Sequence, residues 1–246
     1  MNAHLVEYSS SDDEKSDKLE LPTLLQDLNS DTFRFVVREE DPSKHDFRQR
    51  TFPHEPGNWA TSVYIPCSHF HAKILEAIKN PIIQSNPVMG DCCTVDSPHI
   101  SLSKTWPIYY HWIENLVGNL RSAVSSFGKF WIALDGVEVL VNEDNTRSFF
   151  TLVSSEESRI ALVSLLNSVD SCVTAFRGPE YYKNPKFHMS LLWCNGNIRK
   201  KYSKETLNNF SVDLQKAIFG ESKQIYHEVT DIVCKSGNKY FDIDIS

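Results

Sequence analysis

Two short stretches, "SPHISLSKTW" at 97–106 and "NPKFHMSLLW" at 184–193, constrain the fold more than any other part of the chain. Each sets a His-x-Ser inside an aliphatic run. In a β-strand, residues i and i+2 point to the same face. His99, Ser101 and Ser103 therefore share a face, with Ile100 and Leu102 on the other. His188 and Ser190 likewise share a face opposite Phe187, Met189 and Leu191. The number of matches alone means little. Nine histidines among 28 serines and 11 threonines in 246 residues give about 1.4 His-x-Ser/Thr matches by chance. The alternation around these two is what no other histidine shares. Either one alone reads most simply as a half-buried His bonded to the neighbouring hydroxyl. Two matched in type and flanking pattern favour a single site built where two polar strand faces meet.

The rest of the chain supplies two lobes to carry such strands. A strand is expected around Trp59–Ile65 and a helix over "HAKILEAIKN" (71–80), ending before Pro81. Tyr109, Trp112, Ile113, Leu116, Val117, Leu120 and Val124 mark a long amphipathic helix. Strands follow at "FWIAL" (130–134), "VEVLV" (137–141) and "RSFFTLV" (147–153), the last two joined by a hairpin turn at "NEDNT". Ser154 and Glu157 have capping-box spacing ahead of the helical "SRIALVSLLNSV". A helix through Leu207, Phe210 and Leu214 precedes a C-terminal hairpin turning at Ser236-Gly237-Asn238. The expected class is α+β: a bilobal fold of two antiparallel sheets with outer helices, facing each other across a cleft and dividing near residue 130. Residues 1–31 read as an acidic, disordered tail and 32–246 as the domain, with a short strand or arm at "TFRFVVREED".

Charge narrows the partners. The net charge is −7, but residues 1–20 hold six acids against two lysines, so the remaining chain carries only −3. Local basic patches remain at "NIRKKYSK" (197–204) and around 183–186. A short RNA end fits these better than a long duplex does. No run approaches the roughly 18 apolar residues needed to span a bilayer, and the N-terminus lacks the build of a secretory signal. The six cysteines have no CxxC spacing, which points to a reducing, intracellular setting. No Walker loop or glycine-rich βαβ entry is present. His-Phe-His at 69–71 has no nearby acids and reads as surface; His54 reads as part of a turn and His111 as packing.

Two histidines on facing strands suit one reaction well. Cleaving an RNA phosphodiester with its own 2′-OH needs a base for that hydroxyl and an acid for the departing 5′-oxygen. An imidazole with a pKa near ~6.5 can serve as either near neutral pH. Two hydroxyls can donate to the non-bridging phosphate oxygens as charge builds. The step calls for no metal and no cofactor.

These paired motifs resemble the 2H phosphoesterase superfamily. Further blocks, "RTFPHEPGNWATSVYIP" (50–66), "YHWI" (110–113), "TRSFFTL" (146–152), "NPKFHMSLLWC" (184–194) and "CKSGNKYF" (234–241), are similar to its U6 small nuclear RNA phosphodiesterase branch. The resemblance covers roughly 34–246. It implies His188 as the base, His99 as the acid, Ser101 and Ser190 as phosphate-binding hydroxyls, and Tyr182 as an aromatic stacking on the terminal uracil. It further implies a monomeric nuclear 3′-to-5′ exoribonuclease that trims an oligouridine tail and leaves a 2′,3′-cyclic phosphate, which some members open to a 3′-phosphate. Asn184 stands where family members often carry an acid. Two other readings stay open: a 2H phosphodiesterase for 2′,5′-linked or cyclic nucleotides, and a non-catalytic RNA-end-binding splicing adaptor.

Overall fold

The computed structural model describes Phe52, Glu55 and residues 57–245. The tail at 1–31, the arm at 32–41, the start of the domain and His54 lie outside the described residues.

All ten strands join one curled antiparallel sheet, in the order β10-β9-β1-β3-β7-β6-β5-β8. The strands are β1 (Asn58–Pro66), β2 (Cys92–Thr94), β3 (His99–Ser101), β4 (Trp106–Tyr109), β5 (Phe130–Val141), β6 (Arg147–Ser154), β7 (His188–Asn195), β8 (Ile225–Val229), β9 (Asp231–Ser236) and β10 (Lys239–Asp244). β4 pairs with β1, and β2 with β7. Strand β3 meets β7 through one residue pair, Ile100 opposite Met189. That pair divides the sheet into two lobes: β10-β9-β1-β3 on one side and β7-β6-β5-β8 on the other. The bilobal α+β reading holds, with the two half-sheets fused at their inner strands.

The lobes are not the two halves of the chain. Strand β8 ends at Val229 on the second lobe, and after Thr230 the chain returns to the first lobe as β9, beside β1. Gly237 turns the closing hairpin with φ 57°, and a Cβ there would lie 2.7 Å from Trp59 Cε3. Glycine is thus required both by the backbone and by the ring of β1 that the turn covers.

One face of the sheet carries the core. Val63, Ile65, Ile100, Met189, Phe150 and Leu152 are all fully buried there. Helices α1 (Phe70–Ile78) and α5 (Lys204–Phe219) pack together, as do α3 (Ile113–Val124) and α4 (Arg159–Ala175), with the short α2 (Pro81–Ser85) beside α5. Their apolar stripes bury Leu116, Val117 and Leu120 in α3 and Leu162, Leu165 and Val169 in α4. Each such side chain stabilises by roughly 1.5–3 kcal/mol through removal of apolar surface from water.

Three local expectations are revised. The runs at 130–134 and 137–141 form one twelve-residue strand, because an irregularity between Leu134 and Gly136 breaks the alternation without ending the pairing. The helix expected from Tyr109 begins at Ile113; Trp106–Tyr109 pairs with β1 instead, and Tyr110–Trp112 forms one 3₁₀ turn. Ser154 does not cap a helix. It ends β6, and α4 starts at Arg159 behind Ser158, whose buried Oγ accepts from Ala133 N at 2.8 Å.

Ile100→Ala should lower stability by about 2–5 kcal/mol, since it opens a cavity where the lobes join. Ile160→Ala, at a side chain 83% exposed on α4, should change it by no more than about 0.5 kcal/mol. Urea unfolding midpoints of the two variants check the contrast.

Candidate active site

The single β3–β7 pair determines where the motif side chains go. With Ile100 opposite Met189 in antiparallel strands, His99 stands across from Ser190 and Ser101 across from His188. Ile100 and Met189 point into the core, so the four polar residues share the opposite, open face. The result is a quartet in which like residues lie diagonal to each other. The neighbouring strands extend it: Tyr64 is opposite Ser101, Pro66 opposite His99, Thr151 opposite Ser190, and Val153 opposite His188.

The two imidazoles are oriented in the same way. His99 Nδ1 lies 2.7 Å from Ser97 O, and His188 Nδ1 lies 2.7 Å from Lys186 O. A carbonyl oxygen only accepts, so each Nδ1 carries the proton. Both acceptors sit two residues before the histidine, at the entry to its strand. The entries are themselves pinned. Cys67 N donates to Pro98 O at 2.9 Å, Arg159 Nη1 to Pro185 O at 2.9 Å, and Ser154 N to Phe187 O at 2.9 Å.

Around this shared frame the two sides differ. Tyr64 packs its ring against His99, with centroids 4.7 Å apart. Among the described residues no aromatic ring packs on His188 in that way; the Lys186–Glu138 ion pair flanks it instead. Burial pushes the His188 pKa below its ordinary value, and the Lys186 charge adds to this. The bond to Lys186 O and the Glu138 carboxylate act in the opposite direction. His188 is therefore neutral near pH 7, with a lone pair on Nε2. A groove of about 450 Å³ adjoins it, lined by Asp135, Glu138, Glu156, Arg159, Asn184 and Lys186 among others.

Ser103, expected on the same face, is buried. Strand β3 stops at Ser101, and Ser103 Oγ accepts from Val63 N at 2.8 Å, closing the ladder where the strand bends. Tyr182 is 45% exposed on the loop before β7. The loop is anchored by Tyr181, whose backbone N–H donates to the Asp170 carboxylate at 3.1 Å. Lys104 Nζ stands 4.3 Å from the Tyr182 ring and 3.5 Å from Glu143 Oε1. His69 lies ahead of α1, its ring stacked on the buried His227 at 4.8 Å. Among the described residues, no group of three His, Cys, Asp or Glu side chains is arranged to hold a metal ion. Tyr64 was not singled out from sequence; the alternation of β1 would have placed it on an open face, but only the register puts that face beside His99.

A two-lobed antiparallel sheet with a His-x-Ser strand on each side of the joint is the arrangement expected of a 2H phosphoesterase-like fold. The fold is shared with Usb1 of Kluyveromyces marxianus (TM-score 0.51, 14% identity, 78% of this chain and 100% of that one). It is shared also with Escherichia coli LigT, solved with 3′-AMP (TM-score 0.50, 12% identity, 76% and 96%). Residues 19–244 match the model of the HVSL family, described as an uncharacterised conserved protein. Human U6 snRNA phosphodiesterase 1 is 32% identical over 213 residues, covering 84% of this chain and 77% of its own. The Xenopus laevis protein of the same name is 32% identical over 254 residues, covering 98% and 99%. The chain belongs to the HVSL family, together with these U6 snRNA phosphodiesterases.

The two charges beside His188 should move its titration in opposite directions. Glu138→Gln removes the carboxylate that favours the imidazolium and lowers the midpoint. Lys186→Met removes a repelling cation, keeps the backbone acceptor and raises it. NMR titration of the His188 Cε1–H signal reads both.

Proposed function

We propose that the protein is a metal-independent 3′-to-5′ exoribonuclease that trims the uridine-rich 3′ end of U6 small nuclear RNA. The observation that carries this reading is the diagonal His–Ser quartet with both imidazoles fixed through Nδ1. The scissile phosphate lies over the quartet, its non-bridging oxygens receiving hydrogen bonds from Ser101 and Ser190. His188, held neutral by burial, takes the proton of the penultimate 2′-OH at Nε2. The O2′–P bond forms and the P–O5′ bond breaks. His99 delivers the Nε2 proton to O5′, so a nucleoside with a free 5′-OH departs and a 2′,3′-cyclic phosphate remains. The exchanged protonation states suit a ring-opening step in which water takes the place of the leaving hydroxyl.

The step calls for no Lewis acid, because side chains supply both proton transfers and the donors to the phosphate. Tyr182 is the platform for the terminal base, a stacking contact typically worth ~1–3 kcal/mol. Relatives named U6 snRNA phosphodiesterase 1 support the substrate. A monomer working in the nucleus is the accompanying expectation.

Mass analysis of the 3′ end left on oligouridine-tailed RNA tests the reaction, with EDTA in excess. The expected product is a cyclic phosphate or the 3′-phosphate derived from it. Turnover of RNA lacking the penultimate 2′-OH, or release of 5′-monophosphates, contradicts the mechanism. His99→Ala and His188→Ala should each cost roughly 10²–10⁴ in kcat at an unchanged unfolding midpoint, and Ser101→Ala less. The wild-type pH–rate profile should be bell-shaped.

A further inference from the structure

Strand β2 ties the two lobes at a second place. It precedes β3 in the chain, separated from it by residues 95–98, yet it pairs with β7 of the other lobe. Its three residues are in register with the end of β7: Cys92 opposite Cys194, Cys93 opposite Trp193, and Thr94 opposite Leu192. Opposed residues of an antiparallel pair have Cα atoms about 4.5 or 5.5 Å apart. Both values lie inside the range that a disulfide spans. The sulfur atoms of Cys92 and Cys194 stand 2.7 Å apart, in thiol–thiol contact. Cys93 alternates to the opposite face and is exposed.

The chain is anchored on both sides of this pair. Ahead of β2, Lys201 Nζ donates to Asp91 Oδ1 at 2.6 Å, and the Tyr202 hydroxyl lies 2.8 Å from Asp91 Oδ2 and 3.0 Å from Pro87 O. These contacts fix the 3₁₀ turn Pro87–Asp91 to the segment that follows β7. Behind β2, Val95 N donates to Leu191 O at 3.1 Å. Cys92 Sγ donates to Val88 O at 3.2 Å, which leaves the Cys194 thiol to donate across the pair. Cys194 is 1% exposed, whereas Cys92 is half-buried and is the sulfur that solvent reaches. The bond with Cys194, and then burial, hold the Cys92 thiol above its ordinary pKa. Thiolate is therefore scarce near pH 7, and the pair reacts slowly there.

We propose that Cys92 and Cys194 are a peroxide-oxidised pair, closing to a reversible disulfide that ties the two lobes covalently beside their joint. In a reducing compartment such a pair rests as two thiols. The Cys92 thiolate attacks hydrogen peroxide, giving a sulfenic acid and a hydroxide that takes up the proton Cys92 gave away. The Cys194 sulfur then attacks the Cys92 sulfur. The S–S bond forms, the S–O bond breaks, and hydroxide leaves with the Cys194 proton as a second water. Two thiols and one peroxide thus give one disulfide and two waters. The tie lies where the ladder is thinnest, since β3 and β7 share only the Ile100–Met189 pair. Ser97 O, the acceptor for His99 Nδ1, belongs to the short connection from β2 to β3. Joining β2 to β7 therefore holds that acceptor against the strand that carries His188.

Peroxide treatment of the full chain, followed by alkylation in denaturant and peptide mapping, reads the bond directly. The expected product is a Cys92–Cys194 linked peptide, lighter by two hydrogens and returned to two thiols by dithiothreitol. The rate of oxidation should rise about tenfold from pH 7 to pH 8, following the thiolate fraction. The urea midpoint of the oxidised monomer should rise by about 1 M and fall back on reduction. Cys92→Ser should abolish both the link and the shift, and Cys93→Ser should leave both in place. Cys92→Ala serves as a second variant if the serine is poorly tolerated. Two alkylated thiols after excess peroxide at pH 8 overturn the proposal. So does a sulfinic acid at Cys92 with Cys194 still free, a link made through Cys93, or a Cys92–Cys194 bond that leaves the urea midpoint where it was.

Discussion

One backbone pairing holds the molecule together in both senses, structural and chemical. Ile100 opposite Met189 is the sole ladder pair between β3 and β7, and through it two half-sheets become one. Both side chains are fully buried, so the joint is apolar on its core face. The strands are antiparallel and side chains alternate, so fixing that pair fixes the quartet. A one-residue slip of β7 against β3 would turn His188 and Ser190 into the core and expose Met189. Such a slip would bury an imidazole and a hydroxyl in place of a methionine, at a cost of several kcal/mol. Hydrophobic burial thus enforces the register, and the register assembles the site.

Near-twofold symmetry orients the two imidazoles alike; the surroundings then make them unequal. Each Nδ1 is fixed to a carbonyl two residues upstream at the same 2.7 Å distance. Burial pushes the His188 pKa below its ordinary value, and the Lys186 charge alongside adds to this. His99 packs on Tyr64, an aromatic whose own strand leads out toward Lys235 and Tyr240. Proton transfer in one direction needs two groups of one kind in two states. Here one fold element, used twice, gives both rings the same Nδ1 bond, and the surroundings of the two differ.

Much of this could be read from the chain before folding. The alternation in "HISLS" and "FHMSLLW" marked the faces; that the two strands pair side by side within one sheet shows only in the ladder. What the alternation could not supply was length. Strand β3 ends at Ser101, and Ser103 turns inward to bond Val63 N, because the chain must bend there into β4. Strand β4 itself was hidden by Pro107 and by aromatics that also suit a helix; it lies at an edge, where proline is tolerated. Lobe membership was illegible for a different reason. Nothing local in "EVTDIV" says that β8 belongs beside β5 and β9 beside β1, since pairing partners are chosen by the whole sheet. Tyr64, Lys235 and Tyr240 are 171 and 176 residues apart in sequence from first to each of the others, and only the ladder makes them neighbours.

The acidic balance of the chain fits an enzyme that works on an end. A duplex-binding surface needs many cations, since affinity grows with each phosphate neutralised. An enzyme that takes one nucleoside at a time has to hold a single phosphate over the quartet and a short stretch of chain behind it. Such a task asks for far fewer cations than a duplex footprint does.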